Sequence, residues 1–264
     1  MTTTSLKLLA LILMFLDHIG EFIPGMPVYL RWIGRLSAPL FMFCMVWGLH
    51  YTRNRMHYLK RMYFFGVFMA AVNLLLNNIL SEPYHYISNN IFVTLLLVGI
   101  IVTISEKAKE RPDKRIFMWT CFFAFEFFST IICILLGSFA PLYGISSFVG
   151  AILPNLIFSE GSFIFVALGV LMYHQKESKR GLITVYVAFI VIYTFITTFA
   201  MSQAYGITDY VHFFLHENYQ WMMIFSLPLM LGYNNQKGAG LKYFFYIFYP
   251  AHIILLYLAG NLLF

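Results

Sequence analysis

The stretch LKLLALILMFLDHIG, residues 6–20, places Lys7, Asp17 and His18 in an otherwise apolar run. An imidazole titrates near pH 6.5, so it can take and return a proton under ordinary conditions. Lys7 and His18 are 11 positions apart. On a helix that is about three turns, so they share one face about 16 Å apart along the axis. After a turn containing Pro24, Gly25 and Pro27 come Arg31 and Arg35, four apart and therefore on one helical face. An antiparallel hairpin centred near Gly25 would set these arginines around the depth of Asp17 and His18. Asp17 is then expected to pair with Arg35 or Arg31. His18 is left for other work, because adjacent helical positions do not face each other. Near the other end of the chain, KYFFYIFYPAHIILLYL puts His252 ten residues beyond Lys242, at almost the depth expected for His18. His252 is a candidate second base or acceptor-orienting group, or equally a ring bonded to a neighbouring helix. Pro250 nearby can open the local backbone hydrogen bonding.

Such residues are costly in hydrocarbon, yet hydrocarbon is where the rest of the chain belongs. Of 264 residues, 61% are hydrophobic, 19% aromatic and only 11% charged, whereas a soluble domain carries about 25% charged residues. A transmembrane helix needs roughly 20 mainly apolar residues. The sequence predicts an all-α polytopic membrane protein with about nine spans, near 5–23, 29–52, 59–80, 89–105, 116–138, 159–174, 182–203, 218–233 and 241–262. The stretch 139–158, with Pro141 and Pro154, reads as re-entrant or interfacial. One transmembrane domain, 1–264, is expected, and the first apolar run reads as a retained helix, since no small-residue cleavage site follows it.

The net charge of +6 does not point to nucleic acid, because the basic residues fall in alternate loops. Arg53, Arg55, Lys60 and Arg61 form one group. Lys107, Lys109, Arg111, Lys114 and Arg115 form the next, followed by Lys176, Lys179 and Arg180, then Lys237 and Lys242. The intervening loops hold Glu82 and His85, Glu160, and Asp209, His212, His216 and Glu217. Cytoplasmic loops are enriched in Lys and Arg, so the N-terminus is expected inside the cell and the protein in the cell membrane. Each charge buried in a span costs about 2.5–3.5 kcal/mol on insertion scales, and such groups face the bundle interior and mark functional sites.

The remaining polar residues have less definite uses. Cys44, Cys121 and Cys133 lie in apolar runs without CxxC spacing and read as small core residues. Glu126, in FFAFEFF, is a core acid, a partner for Arg31 or Arg35, or a catalytic group. Asn73, Asn77, Asn78, Asn89, Asn90 and Thr94 either line an acceptor cleft or bond helix to helix. His212 and His216 have helical metal spacing beside Asp209, but without a fourth ligand or an HExxH pattern no metal is expected.

Four ordered blocks, KLLALILMFLDHIG, IGRLSAPLFMF, GLHYTRNRMHYLKR and KYFFYIFYPAH, resemble the TraX family, which is named for a pilin N-acetylating protein. That family is similar in turn to the membrane acyltransferases known as acyltransferase family 3. The resemblance implies transfer of an acyl group, usually acetyl from acetyl-CoA, to an acceptor within or across the membrane. A basic residue, ten intervening residues and a histidine on the first helix correspond to Lys7 and His18. By that analogy His18 is the catalytic residue and Lys7 lies towards the CoA phosphates.

The chemistry of the residues agrees with this. Acyl transfer from a thioester needs a base for the acceptor and a donor for the developing oxyanion. His18 is the candidate base or acyl carrier, Asp17 its charged neighbour, and Arg35 or Arg31 a candidate oxyanion donor. CoA is made in the cytoplasm, so its phosphates would meet Lys7, Arg53 and Arg61 at that boundary. Pilin, an exported peptide, a surface glycan and a lipid all remain as acceptors. The alternative is a transporter or flippase that uses the buried charges as a substrate or proton pathway, although no inverted repeat is visible in the sequence.

Overall fold

Thr2 starts the first helix, its hydroxyl accepting the Ser5 N–H at 3.2 Å, as an N-cap side chain does. In the computed structural model, which describes residues 1–79, 86–140 and 142–262, the helices follow in order. They are α1 Thr3–Phe22, α2 Tyr29–Gly34, α3 Ser37–Tyr51, α4 Arg55–Ile79, α5 Ile91–Glu110, α6 Arg115–Phe139, α7 Ile145–Ile152, α8 Ser162–His174, α9 Lys179–Tyr205, α10 Tyr210–His212, α11 Ser226–Leu231 and α12 Lys242–Leu262. Tighter and wider turns join α10 to α11. Glu82, His85 and Pro141 lie outside the described residues, as does the side chain of Lys242. Among the described residues there is no strand.

Six helical segments are long and apolar enough to cross a membrane: Tyr29–Tyr51, Arg55–Ile79, Ile91–Glu110, Pro112–Phe139, Lys179–Tyr205 and Tyr243–Leu262. The expected count was nine. The three expected spans outside the six correspond to α1, which carries Lys7, Asp17 and Glu21, and to two shorter apolar helical segments, Ser162–His174 and Tyr219–Leu231. Exposed Phe117, Phe123, Phe127 and Phe128 on α6 give that helix an apolar outer face, which a multi-pass membrane protein turns to lipid.

The chain divides into two compact units, Met1–Cys44 with His174–Phe264, and Met45–Tyr173. In the first unit, α1 and α12 pair lengthwise. Lys7 meets the Phe245 ring at 5.8 Å, Phe15 meets Phe248 at 6.1 Å and Phe22 meets Tyr257 at 6.1 Å. Residue numbers rise together along both helices, so the two run parallel. Small residues allow such close approach. A Cβ on Gly260 would fall on the carbonyl oxygen of Phe22, and one on Gly34 would fall on the side chain of Asp17. Gly20 does the same for the α1–α2 hairpin, where a Cβ would lie 3.1 Å from that of Leu30.

A recurring device closes the helical hairpins. Asn155, fully buried after α7, donates from Nδ2 to Ser129 Oγ at 2.7 Å and Thr130 Oγ1 at 2.8 Å on α6. Asn218, before the turn leading to α11, donates to Thr197 Oγ1 and Thr198 Oγ1 on α9, both at 2.8 Å. In EFFST and TFITT the hydroxyls occupy the same two places. Asn90, before α5, donates to the carbonyl of Gly66 on α4 at 2.9 Å. In each hairpin, a buried asparagine at the start of the return segment bonds the middle of the preceding long helix.

Candidate functional site

His18 and His252 meet in the first unit, on the parallel pair α1 and α12. His18 Nδ1 and His252 Nε2 are 2.7 Å apart, and the two residues are 5% and 4% exposed. The ring planes differ by 12° and the centroids are 5.0 Å apart. That separation equals the hydrogen bond plus the two ring radii, so the bond runs in the plane of both rings, along the direction of N–H and lone pair. The other nitrogen of His252, Nδ1, lies 2.7 Å from the carbonyl oxygen of Phe248.

This chain sets the tautomers. A carbonyl oxygen only accepts, so His252 Nδ1 carries the proton it donates to Phe248. In a neutral ring Nε2 then accepts, and the proton in the inter-histidine bond belongs to His18 Nδ1. His18 Nε2 consequently holds the lone pair of the ring, which is the feature a general base or acyl carrier needs. Phe15, Phe22, Phe248 and Tyr249 pack around the two imidazoles and fix their planes.

Asp17, next to His18, and Glu21, about one turn further along α1, belong to a compact cluster of charges. Arg35 donates to both oxygens of Asp17, at 2.7 and 2.5 Å. Arg31 lies 3.0 Å from Asp17 Oδ1, donates to the Asp17 backbone carbonyl at 3.1 Å and reaches Glu21 Oε2 at 2.6 Å. Two guanidinium groups thus face two carboxylates with no net charge. The Asp17 side chain is 9% exposed and those of Arg31 and Arg35 are 20% and 19% exposed. Arg35 also stacks over Tyr219 at 5.7 Å.

The sequence expectation of an Asp17 pair with Arg35 or Arg31 is met by both arginines at once. Glu21 was not singled out, although a signal was present: Asp17 and Glu21 are four apart on α1, as Arg31 and Arg35 are on the opposing segment. Ligand atoms of Asp17, His18 and Glu21 lie within 4.8 Å of one another, a grouping able to hold a metal ion. The arginines already supply the countercharge for its carboxylates, which argues against a cation there. Lys7, on the His18 face of α1, rests its ammonium over Phe245.

Arg53 and Arg61 belong to the second unit; Arg53 is exposed, and Arg61 lies over Tyr58 at 5.4 Å. In the same unit Arg55 pairs with Glu106, and Tyr173 bonds both. Glu126 accepts the Leu156 N–H at 2.9 Å, and its other oxygen is buried without a partner among the described residues. It therefore takes the place of a core acid, while Asp17 and Glu21 satisfy Arg31 and Arg35. Asp209 caps α10 through the His212 N–H at 3.0 Å, beside the tilted rings of His212 and His216.

Comparison with known proteins gives this arrangement a context. The model of one family, described as "TraX protein", matches residues 2–259. A relative from Dichelobacter nodosus, "Probable fimbrial assembly protein FimC, serogroup H1", is 28% identical over 262 residues, covering 95% of this chain and 92% of its own length. No solved structure matches.

Proposed function

The chain belongs to the TraX family, and on that premise we propose that it is a membrane acyltransferase carrying acetyl from cytoplasmic acetyl-CoA to a pilin subunit. A fimbrial assembly name on a relative that aligns over nearly its whole length supports pilin as the acceptor. The proposed orientation has a cytoplasmic N-terminus and nine crossings, which puts Lys7 at the side where CoA is made.

The observation that carries the reading is the chain from the Phe248 carbonyl through His252 to His18. In the proposed reaction His18 Nε2 takes the proton of the acceptor amine or hydroxyl as that group attacks the thioester carbonyl. The tetrahedral oxyanion collapses, the C–S bond breaks, and the proton passes from His18 to the leaving CoA thiolate. His252 accepts the His18 Nδ1–H throughout, holding the ring in the basic tautomer and spreading the charge of the imidazolium. Arg31 and Arg35 are committed to Asp17 and Glu21, so their part is to position α1 rather than to meet the oxyanion. The same pairing weighs against the transporter reading, because the buried charges neutralise one another.

The test is transfer of labelled acetyl from acetyl-CoA to pilin by purified protein in detergent or vesicles. His18→Asn keeps a polar side chain but cannot carry a proton as imidazole does. It is expected to fold, to bind acetyl-CoA as the parent protein does, and to lose about 10²–10⁴-fold in transfer, the usual contribution of a general base. Near-normal transfer by a folded His18→Asn protein would remove the proposed mechanism. Uptake of a solute without dependence on CoA would favour transport.

A further inference from the structure

Along α6, in the second unit, runs an open apolar groove with a charge at one end. Its volume is ≈ 600 Å³. Arg115, Trp119, Phe123 and Phe127 form one row along the helix at four-residue spacing, and Ile116, Thr120, Ala124 and Phe128 form the next. Thr120 and Ala124 are the small members and make its floor. The Trp119 and Phe123 rings stack at 6.0 Å with planes 28° apart and make one wall. Phe123 is 59% exposed and Phe128 62% exposed, so the groove faces outward.

Arg115 is the one charged residue that lines it. Lys107, Lys109, Arg111 and Lys114 lead up to Arg115, with Glu110 and Asp113 as the only acids between them. Neither acid lines the groove. Among the described residues, the exposed Arg115 side chain has no ion-pair partner. No side chain caps the first turn of α6, and its N–H dipoles add to the attraction for an anion. The charged end therefore suits a phosphate, which a guanidinium meets with paired hydrogen bonds.

Length identifies what carries that phosphate. From Arg115 to Phe128 the helix rises about 20 Å. Half the thickness of a bilayer with its headgroups is about 20–22 Å, so the groove spans one leaflet. We propose that it holds one anionic phospholipid, with the phosphate at Arg115 and an acyl chain lying over Thr120 and Ala124 as far as Phe128.

A second copy of the chain fits this face less well. Every copy enters the membrane the same way up, so a symmetric pair would have its axis along the membrane normal. Each α6 would then meet its twin with Arg115 against Arg115 and Lys114 close by, and like charges brought together at an interface oppose association.

Trp119 reports on the occupant. The full chain is placed in vesicles of phosphatidylcholine and phosphatidylglycerol, with bromine on the acyl chains of one lipid or the other. Fluorescence of the parent chain minus that of Trp119→Phe isolates this indole from Trp32, Trp47 and Trp221. Brominated phosphatidylglycerol is expected to quench it at a mole fraction roughly fivefold below that needed for brominated phosphatidylcholine, which is about the attraction of one cation for anionic lipid. Arg115→Gln, a change at an exposed position, should remove most of that difference and leave quenching by phosphatidylcholine as it was. Equal quenching by the two lipids in the parent chain would overturn the proposal, as would a preference that persists in Arg115→Gln. Absence of quenching by either lipid would mean that protein covers the face, a second copy if sedimentation shows pairs, and would equally overturn it.

Discussion

At the scale of single residues, the site depends on His252 presenting an acceptor nitrogen to His18. His252→Phe keeps a ring among Phe15, Phe248 and Tyr249 but removes both nitrogens. Transfer at saturating acetyl-CoA is expected to fall by about 10²-fold, at the lower end of what base catalysis contributes, with little change in KM for acetyl-CoA. An unchanged kcat would reduce His252 to packing. Asp17 belongs to the same scale. Removing one partner from a buried, hydrogen-bonded charge pair typically costs about 3–5 kcal/mol, so Asp17→Asn should lower the unfolding temperature markedly. The double change of Asp17→Arg with Arg35→Asp should recover part of it if that pair dominates; the second guanidinium at Arg31 limits the recovery. The Asp17 pairing and the shared depth of the two histidines were legible in the sequence, because helical period and distance from a turn determine them. The Arg55–Glu106–Tyr173 group was not. Its members come from three helices, and spacing along the chain says nothing about which helices become neighbours.

At the scale of elements, glycines determine how closely helices approach. A Cβ at Gly260 would meet backbone, the Phe22 carbonyl, which cannot swing aside as a flexible side chain can. Gly260→Ala should push α12 away from α1 and lengthen the His18–His252 bond. Overpacking of this kind typically costs about 1–3 kcal/mol, and transfer should fall further than the stability change alone explains. Gly240→Ala, with open space around it and no positive φ, serves as the control and should leave both stability and transfer unchanged. The long helices were evident as apolar runs of sufficient length. The asparagine pins were harder to see, because Asn90, Asn155 and Asn218 look like ordinary polar residues near chain breaks. Their common role rests on hydroxyls or a carbonyl 20 to 26 positions away, in helices whose sequences otherwise differ.

At the scale of the whole molecule, the parallel run of α1 and α12 constrains the topology. If both cross the membrane, the number of crossings from the first to the last must be odd. The six long segments together with α1 make seven, and the shorter segments Ser162–His174 and Tyr219–Leu231 make nine. These counts differ in a measurable way, because dropping both short segments exchanges the sides of the residues flanking α9. In cells, single cysteines introduced at Ser178 and at Asp209 into a chain without Cys121 should decide it. Nine crossings predict that Ser178 is protected from an impermeant thiol reagent and Asp209 is labelled. The reverse pattern would establish seven. The positive charges at Lys176, Lys179 and Arg180 favour nine.

The pairing of α1 with α12 also has a temporal side. His18 and His252 are 234 positions apart, and a ribosome adds about 5–20 residues per second. The first histidine therefore waits roughly 10–50 s in the bilayer before its partner is synthesised. During that interval Arg31 and Arg35, which follow within moments, can already shield Asp17, so the growing chain never has to hold a bare carboxylate in lipid. The dyad itself closes only when the last helix docks. A chain stalled or cleaved before α12 therefore carries the helix-stapling charges but lacks the bond that sets the His18 tautomer, and under the proposed mechanism the ability to react is the last property the nascent protein acquires.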